Sequence, residues 1–201
     1  MIKKNNDPAR RFGGEAKIDA TVDLTAAVRV RAENLFLTKQ YLCTEAVFVV
    51  LNETLRGGLT ESQAVGLAAG FPLGLGESGC LCGALSGGVL ALGHFLGGAH
   101  PLGRRGEIRA ASNLLHRQWI ERHKSTCCRV LTKNVQADPK SHFTQCAGFT
   151  GEAAELTMRI ILDKRPELAA RVDADFLARR GNFFSARRKR LTEFIKSLIR
   201  R

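Results

Sequence analysis

From Ser78 to Gly103 the chain runs 26 residues without a charged side chain, and eight of those residues are glycine. A stretch of that length is long enough to cross a bilayer. Its composition points elsewhere. The glycines, His94 and His100 dilute the apolar side chains, no second segment like it follows, and small residues at this density suit a central helix on which neighbours pack closely. The stretch predicts a buried helix and no transmembrane span, and a buried helix needs others around it.

The remaining pattern supplies them. Thr25 to Arg56 reads as one long helix with Cys43 near its middle, its stripe running through Val28, Leu35, Phe36, Leu42, Ala46, Val49 and Val50 and its end marked by Gly57-Gly58. Thr60-Glu61-Ser62-Gln63 has the form of a capping box and starts a second helix that Pro72 stops. A glycine-rich loop, Gly70 to Gly79, then feeds the uncharged helix, expected from about Leu81 to Gly97. Further helices are expected from Gly106 to Lys124 and from His142 to Asp163, with a short one opening at Cys127-Cys128 behind Ser125 and Thr126. No alternating strand pattern of any length occurs. The expected fold is all-α, a compact helical bundle of about five helices with a basic helical C-terminal extension.

Charge divides the chain. Of the formal +12, residues 1–11 carry +3 and residues 164–201 carry +8, so the long middle is close to neutral. The division expected is an N-terminal arm (1–24), a helical domain (25–164) and a basic extension (165–201) whose last helix, Ser185 to Arg201, sets Leu191, Phe194, Ile195, Leu198 and Ile199 on one face. The extension is the place to look for an acidic partner or nucleic acid. Met1 to Leu24 has no continuous apolar run behind its basic start, so no secretory signal is expected and the chain is placed in the cytoplasm. In that reducing compartment structural disulfides are disfavoured.

Six cysteines then need another account: Cys43, Cys80, Cys82, Cys127, Cys128 and Cys146. Six in 201 residues is too sparse for a disulfide scaffold. Thiolates hold iron–sulfur clusters or zinc, because soft anionic sulfur matches such metals. The close spacings of common local motifs are missing, and no C-x-x-C-H sequence for haem attachment occurs. Most of the cysteines fall near expected helix N-termini, where unpaired N–H groups favour thiolate over thiol. Gly79, Gly83 and Gly87 would either let backbone approach an inorganic cluster or let helices pack closely. Unligated, buried cysteine is the bland alternative at any single position.

Several stretches carry a resemblance. Gly70-Phe71 and Gly74 precede Gly79, Cys82-Gly83-Ala84-Leu85-Ser86-Gly87-Gly88, then Ser125-Thr126 with Cys128-Arg129 and Leu131, then Cys146 ahead of Ala153-Ala154-Glu155-Leu156. With Cys43 in Tyr41-Leu42-Cys43-Thr44-Glu45-Ala46-Val47, residues 28–163 resemble the redox-active family named for its pattern C, GCAxxG, C, C. The resemblance implies a helical domain in which Cys43, Cys82, Cys128 and Cys146 act together as ligands of an iron–sulfur cluster. Related domains look like the non-haem part of split-Soret cytochromes, and without the attachment motif no haem is expected. Here the order is Cys82-Gly83-Ala84 where the name has Gly-Cys-Ala, and Cys80 and Cys127 are additional, as alternate ligands or exchangeable thiols.

The expected function is a cytoplasmic iron–sulfur redox protein, serving electron transfer or redox sensing with a partner protein, as monomer or homo-oligomer. One alternative is a metal-free thiol–disulfide protein using the Cys80/Cys82 or Cys127/Cys128 pair. Another is a zinc-stabilised protein, through His123 with Cys127 or His142 with Cys146, that binds nucleic acid or an acidic partner through its tail. Glu77 is the acidic candidate near the cysteine loop, and His94, His100 and His116 read as packing or surface residues. No phosphate loop, Ser-His-Asp arrangement or dinucleotide fingerprint attached to a strand is present.

Overall fold

A computed structural model describes residues 15–182 and Phe184, with side chains from Leu24 onward. Its elements are α1 (Glu15–Leu37), α2 (Cys43–Thr54), α3 (Glu61–Ala68), the single turn α4 (Pro72–Leu75), α5 (Gly83–Gly97), α6 (Arg105–His123), α7 (Cys128–Thr132), α8 (Pro139–Lys164), a 3-10 turn (Pro166–Arg171) and α9 (Ala174–Ala178). The described residues contain no strand, and the fold is all-α as the periodicity predicts. No described helix is long and apolar enough to cross a membrane.

The uncharged segment becomes α5, only 15 residues long and buried along most of its length. Its small residues decide how it packs. A side chain on Gly87 would meet the Thr44 carbonyl at 2.7 Å and Val47 Cβ at 2.9 Å, and one on Gly88 would meet Leu115 at 2.8 Å. Helix α5 therefore lies hard against α2 on one side and reaches α6 on the other. Helix α8 packs along α1, α2 and α5, and the core is filled by Phe48, Leu51, Leu92, Leu115, Trp119, Met158 and Ile161, all under 3% exposed. Truncating one of these to alanine costs about 2–5 kcal/mol. Trp119 buries its whole ring and still satisfies its N–H, which donates to the Ser125 carbonyl at 3.0 Å.

The long helix expected over Thr25 to Arg56 is two helices. Helix α1 closes in a Schellman turn, with Lys39 N–H on the Phe36 carbonyl at 2.8 Å and Gln40 N–H on the Leu35 carbonyl at 3.0 Å. Lys39 takes the left-handed position that glycine usually fills, at φ 56°. Glu45 then reaches back to accept the Leu42 N–H at 2.8 Å, so Cys43 opens α2 instead of lying mid-helix. The Thr60 capping box forms as the sequence predicts, Gln63 N–H meeting Thr60 Oγ1 at 3.3 Å and Thr60 N–H meeting Gln63 Oε1 at 2.9 Å.

The first part of the extension is not one continuous helix but a 3-10 turn followed by α9. Asp173 N–H bonds the Thr54 carbonyl at 2.8 Å, tying the chain to the end of α2, while the Asp173 carboxylate caps α9 by accepting the Phe176 N–H at 2.8 Å. Leu168 and Leu177 are buried on the body, and Arg165 grips Glu107 in a two-pronged pair at 2.8 and 2.9 Å. The expected basic helix from Ser185 to Arg201 lies outside the described residues.

Candidate functional site

Helix starts place most of the sulfur. Cys43 is the first residue of α2, Cys82 caps α5, Cys127 caps α7 and Cys128 opens it, whereas Cys146 sits two turns into α8. The glycine-rich loop fastens these starts together. It folds on itself through Gly79 N–H to the Leu73 carbonyl and Cys80 N–H to the Gly74 carbonyl, both at 3.3 Å. It is then bound to the α7 entry: Cys82 N–H donates to the Thr126 carbonyl at 2.7 Å, and Arg129 N–H to the Gly79 carbonyl at 2.9 Å.

Cys43, Cys128 and Cys146 line one cavity of about 440 Å³, walled by Phe36, Leu42, Leu73 and Phe143, with Glu77, Arg129, Thr132, Gln136 and His142 among its polar members. Cys82 lies behind the cavity, 5% exposed. It adjoins Gly83, where a side-chain carbon would stand 2.5 Å from the Cys43 sulfur and 2.7 Å from Thr44 Oγ1. The four cysteines Cys43, Cys82, Cys128 and Cys146 are thus gathered at one end of the bundle. They are not drawn into a ready ligand set: among the described residues no three or more His, Cys, Asp or Glu side chains are grouped so as to hold a metal ion.

Electrostatics separates the six thiols. Burial raises the pKa of Cys43, against the pull of the Leu73 and Thr44 backbone N–H groups, and pushes Cys82 up to about 12 against those of Leu85 and Ala84. Burial first, then the charges of Cys43 and Cys128, takes Cys146 to about 12 as well, and Cys128 is raised for the same kind of reason. At Cys82, Cys128 and Cys146 desolvation therefore outweighs what a nearby helix start contributes, the reverse of the sequence expectation, and Cys43, expected mid-helix, is raised by burial as well. Cys127 alone follows that expectation. The Val130 backbone N–H, with the Cys80 thiol and the Arg129 charge, lowers its pKa.

Cys80 and Cys127 do not pair with their sequence neighbours. Their side chains interact with one another instead, and Cys127 Sγ donates to the Gly79 carbonyl at 3.1 Å. Of the two histidine–cysteine pairs considered for zinc, His142 and Cys146 share the cavity. His123 instead bonds Glu152 at 3.0 Å and packs on Trp119 and Phe149. His94 meets the Gly57 carbonyl at 2.9 Å between Phe48 and Phe95, a packing role as the sequence suggests. The space at the three glycines is taken by protein: Gly83 by Cys43 and Thr44, Gly87 by α2, and Gly79, at φ +76°, by the Arg129 side chain at 3.0 Å.

Two participants escape a reading of the sequence. Arg129 lays its guanidinium over Gly79 and donates to the Ser78 carbonyl at 2.7 Å, holding the loop on α7; its place directly after Cys128 was the available signal. Thr44 is wholly buried beside Cys43, and among the described residues its hydroxyl meets no oxygen or nitrogen partner.

Comparison with known proteins places the chain in a family. An uncharacterised protein of Archaeoglobus fulgidus is 28% identical over 131 residues, 61% of this chain and 86% of that one. No solved structure matches. The model of one family, described as "Putative redox-active protein (C_GCAxxG_C_C)", matches residues 41–160. That span takes in all six cysteines and every helix that lines the cavity except the end of α1, and the chain belongs to this family.

Proposed function

We propose that Cys43, Cys82, Cys128 and Cys146 hold an iron–sulfur cluster in a cytoplasmic protein of electron transfer or redox sensing. One observation carries the reading: three of these sulfurs line a single cavity, and the fourth joins it through Gly83. The donor set fits such a group in kind, being four thiols in apolar surroundings. The Thr44 hydroxyl supports the fit, since a Cys43 thiolate would be a stronger acceptor for that buried donor than the thiol beside it. A bound cluster would supply one-electron chemistry.

The chain's own part is to admit the group and then screen it. Phe36, Leu42, Leu73 and Phe143 give the cavity apolar walls, which raises the effect of each nearby dipole and charge. The backbone N–H groups of Leu73, Leu85 and Ala84 are directed at Cys43 and Cys82 and favour their ionised forms. Arg129 holds the glycine loop, whose Leu73, Glu77 and Gly79 line the cavity. The division into arm, redox domain and extension belongs to the same reading. The extension is assigned a separate contact with an acidic partner or nucleic acid, to be tested by salt-sensitive binding that vanishes when residues 182–201 are removed.

The test is anaerobic purification followed by an absorption spectrum and iron, sulfide and zinc analysis. A brown protein with stoichiometric sulfide is the expected result. A colourless zinc protein would overturn the cluster in favour of a structural ion. A metal-free protein would favour the thiol–disulfide reading, to which the absence of a preassembled donor group among the described residues lends support.

A further inference from the structure

The four-sulfur reading leaves two cysteines unused, and the fold brings those two together. Cys80 is exposed in the loop ahead of α5, and Cys127 is partly buried at the cap of α7. Their side chains are neighbours across the two loops and interact with each other. Neither loop is free to wander: Arg129 N–H holds the Gly79 carbonyl, Cys82 N–H holds the Thr126 carbonyl, and the Arg129 guanidinium holds the Ser78 carbonyl. Cys127 Sγ rests 3.1 Å from the carbonyl oxygen of the residue just before Cys80. The neighbours in sequence are turned away, Cys82 into the core at 5% exposure and Cys128 onto the cavity. The juxtaposition thus belongs to two clamped loops and selects one partner for each thiol.

We propose that Cys80 and Cys127 form a solvent-facing dithiol that exchanges with low-molecular-weight disulfides, independently of the four interior cysteines. The reaction balances without any bound group. One thiol of the pair loses its proton to solvent and attacks a sulfur of the small disulfide, forming a mixed disulfide and releasing one small thiolate. The other thiol, deprotonated in turn, attacks the protein sulfur of that mixed disulfide and expels the second small thiolate. Two protein thiols are oxidised to one Cys80–Cys127 bond, and one small disulfide is reduced to two thiols. The two-electron exchange places a substrate class, small disulfides, at a surface that the four-sulfur site does not use.

The test treats the full-length protein, as isolated and under argon, with glutathione disulfide, then quenches with acid, alkylates in denaturant and maps peptides by mass spectrometry. The expected product is a peptide pair joining Cys80 to Cys127, two hydrogens lighter than its reduced parts, with Cys43, Cys82, Cys128 and Cys146 recovered alkylated. In Cys80→Ser, the mixed disulfide at Cys127 should persist about tenfold longer or more, because its resolving thiol is gone. Iron, sulfide and absorption of that variant should equal those of the parent whatever they are, which separates this proposal from the cluster. No linked peptide, predominant Cys80–Cys82 or Cys127–Cys128 bonds, or metal lost in Cys80→Ser would each overturn it.

Discussion

A side-chain carbon built on Gly83 would lie 2.5 Å from the sulfur of Cys43. The start of α5 is therefore shaped around a sulfur atom carried by α2. Gly83→Ala should force that sulfur aside and destabilise the protein by about 1–3 kcal/mol, read as a lower denaturant midpoint with faster alkylation of Cys43. Gly93 is the internal control. Nothing stands within 4 Å of a carbon built there, in the same helix, so Gly93→Ala should stabilise by about 0.5–1 kcal/mol. Equal effects at the two positions would contradict this packing.

If the four interior sulfurs share one centre, their substitutions should act alike. Cys43→Ser, Cys82→Ser and Cys128→Ser are each expected to abolish most visible absorption of the anaerobically purified protein, while Cys80→Ser keeps it. Retention of colour in all four variants would refute the ligand assignment.

The metal-free protein should weaken in alkali. Burial keeps Cys82 and Cys146 protonated up to about pH 12, whereas an unfolded cysteine ionises near about 8.5. Below that lower value both states hold the proton and the stabilisation is complete. Between the two values only the unfolded chain has released it, so stability falls with rising pH, at most about 1.4 kcal/mol per pH unit for each group. Guanidinium midpoints at pH 8 and pH 10 should show the decline, and Cys82→Ala should make it shallower.

The helical class, the buried uncharged helix and the Thr60 cap were legible because periodicity and cap chemistry are local. The break between α1 and α2 was not. Its left-handed position holds Lys39, which carries no helix-stop signal, and the long apolar stripe runs on through it. That one misreading also placed Cys43 mid-helix, away from the N–H groups that surround it. The pairing of Cys80 with Cys127 was equally hidden, since it depends on two loops joined by backbone hydrogen bonds that no side chain announces. The interrupted extension turned on a single backbone bond from Asp173 to Thr54, again invisible in residue types.

Lys39 gives a direct check on the helix break. Its backbone adopts φ 56°, where a glycine has no steric penalty. Lys39→Gly should raise stability by up to about 1 kcal/mol, reduced by loss of the ammonium's position 5.6 Å over the Phe143 ring. A clear destabilisation would argue that α1 and α2 are continuous in solution.

The chain's one tryptophan sits at a useful place. Trp119 is anchored to the Ser125 carbonyl, two residues before the Cys127–Cys128 step. Any loading, oxidation or release of sulfur that shifts this segment must disturb the indole's hydrogen bond. Intrinsic fluorescence is therefore a label-free gauge of the state of this cysteine-bearing segment, already installed by the fold.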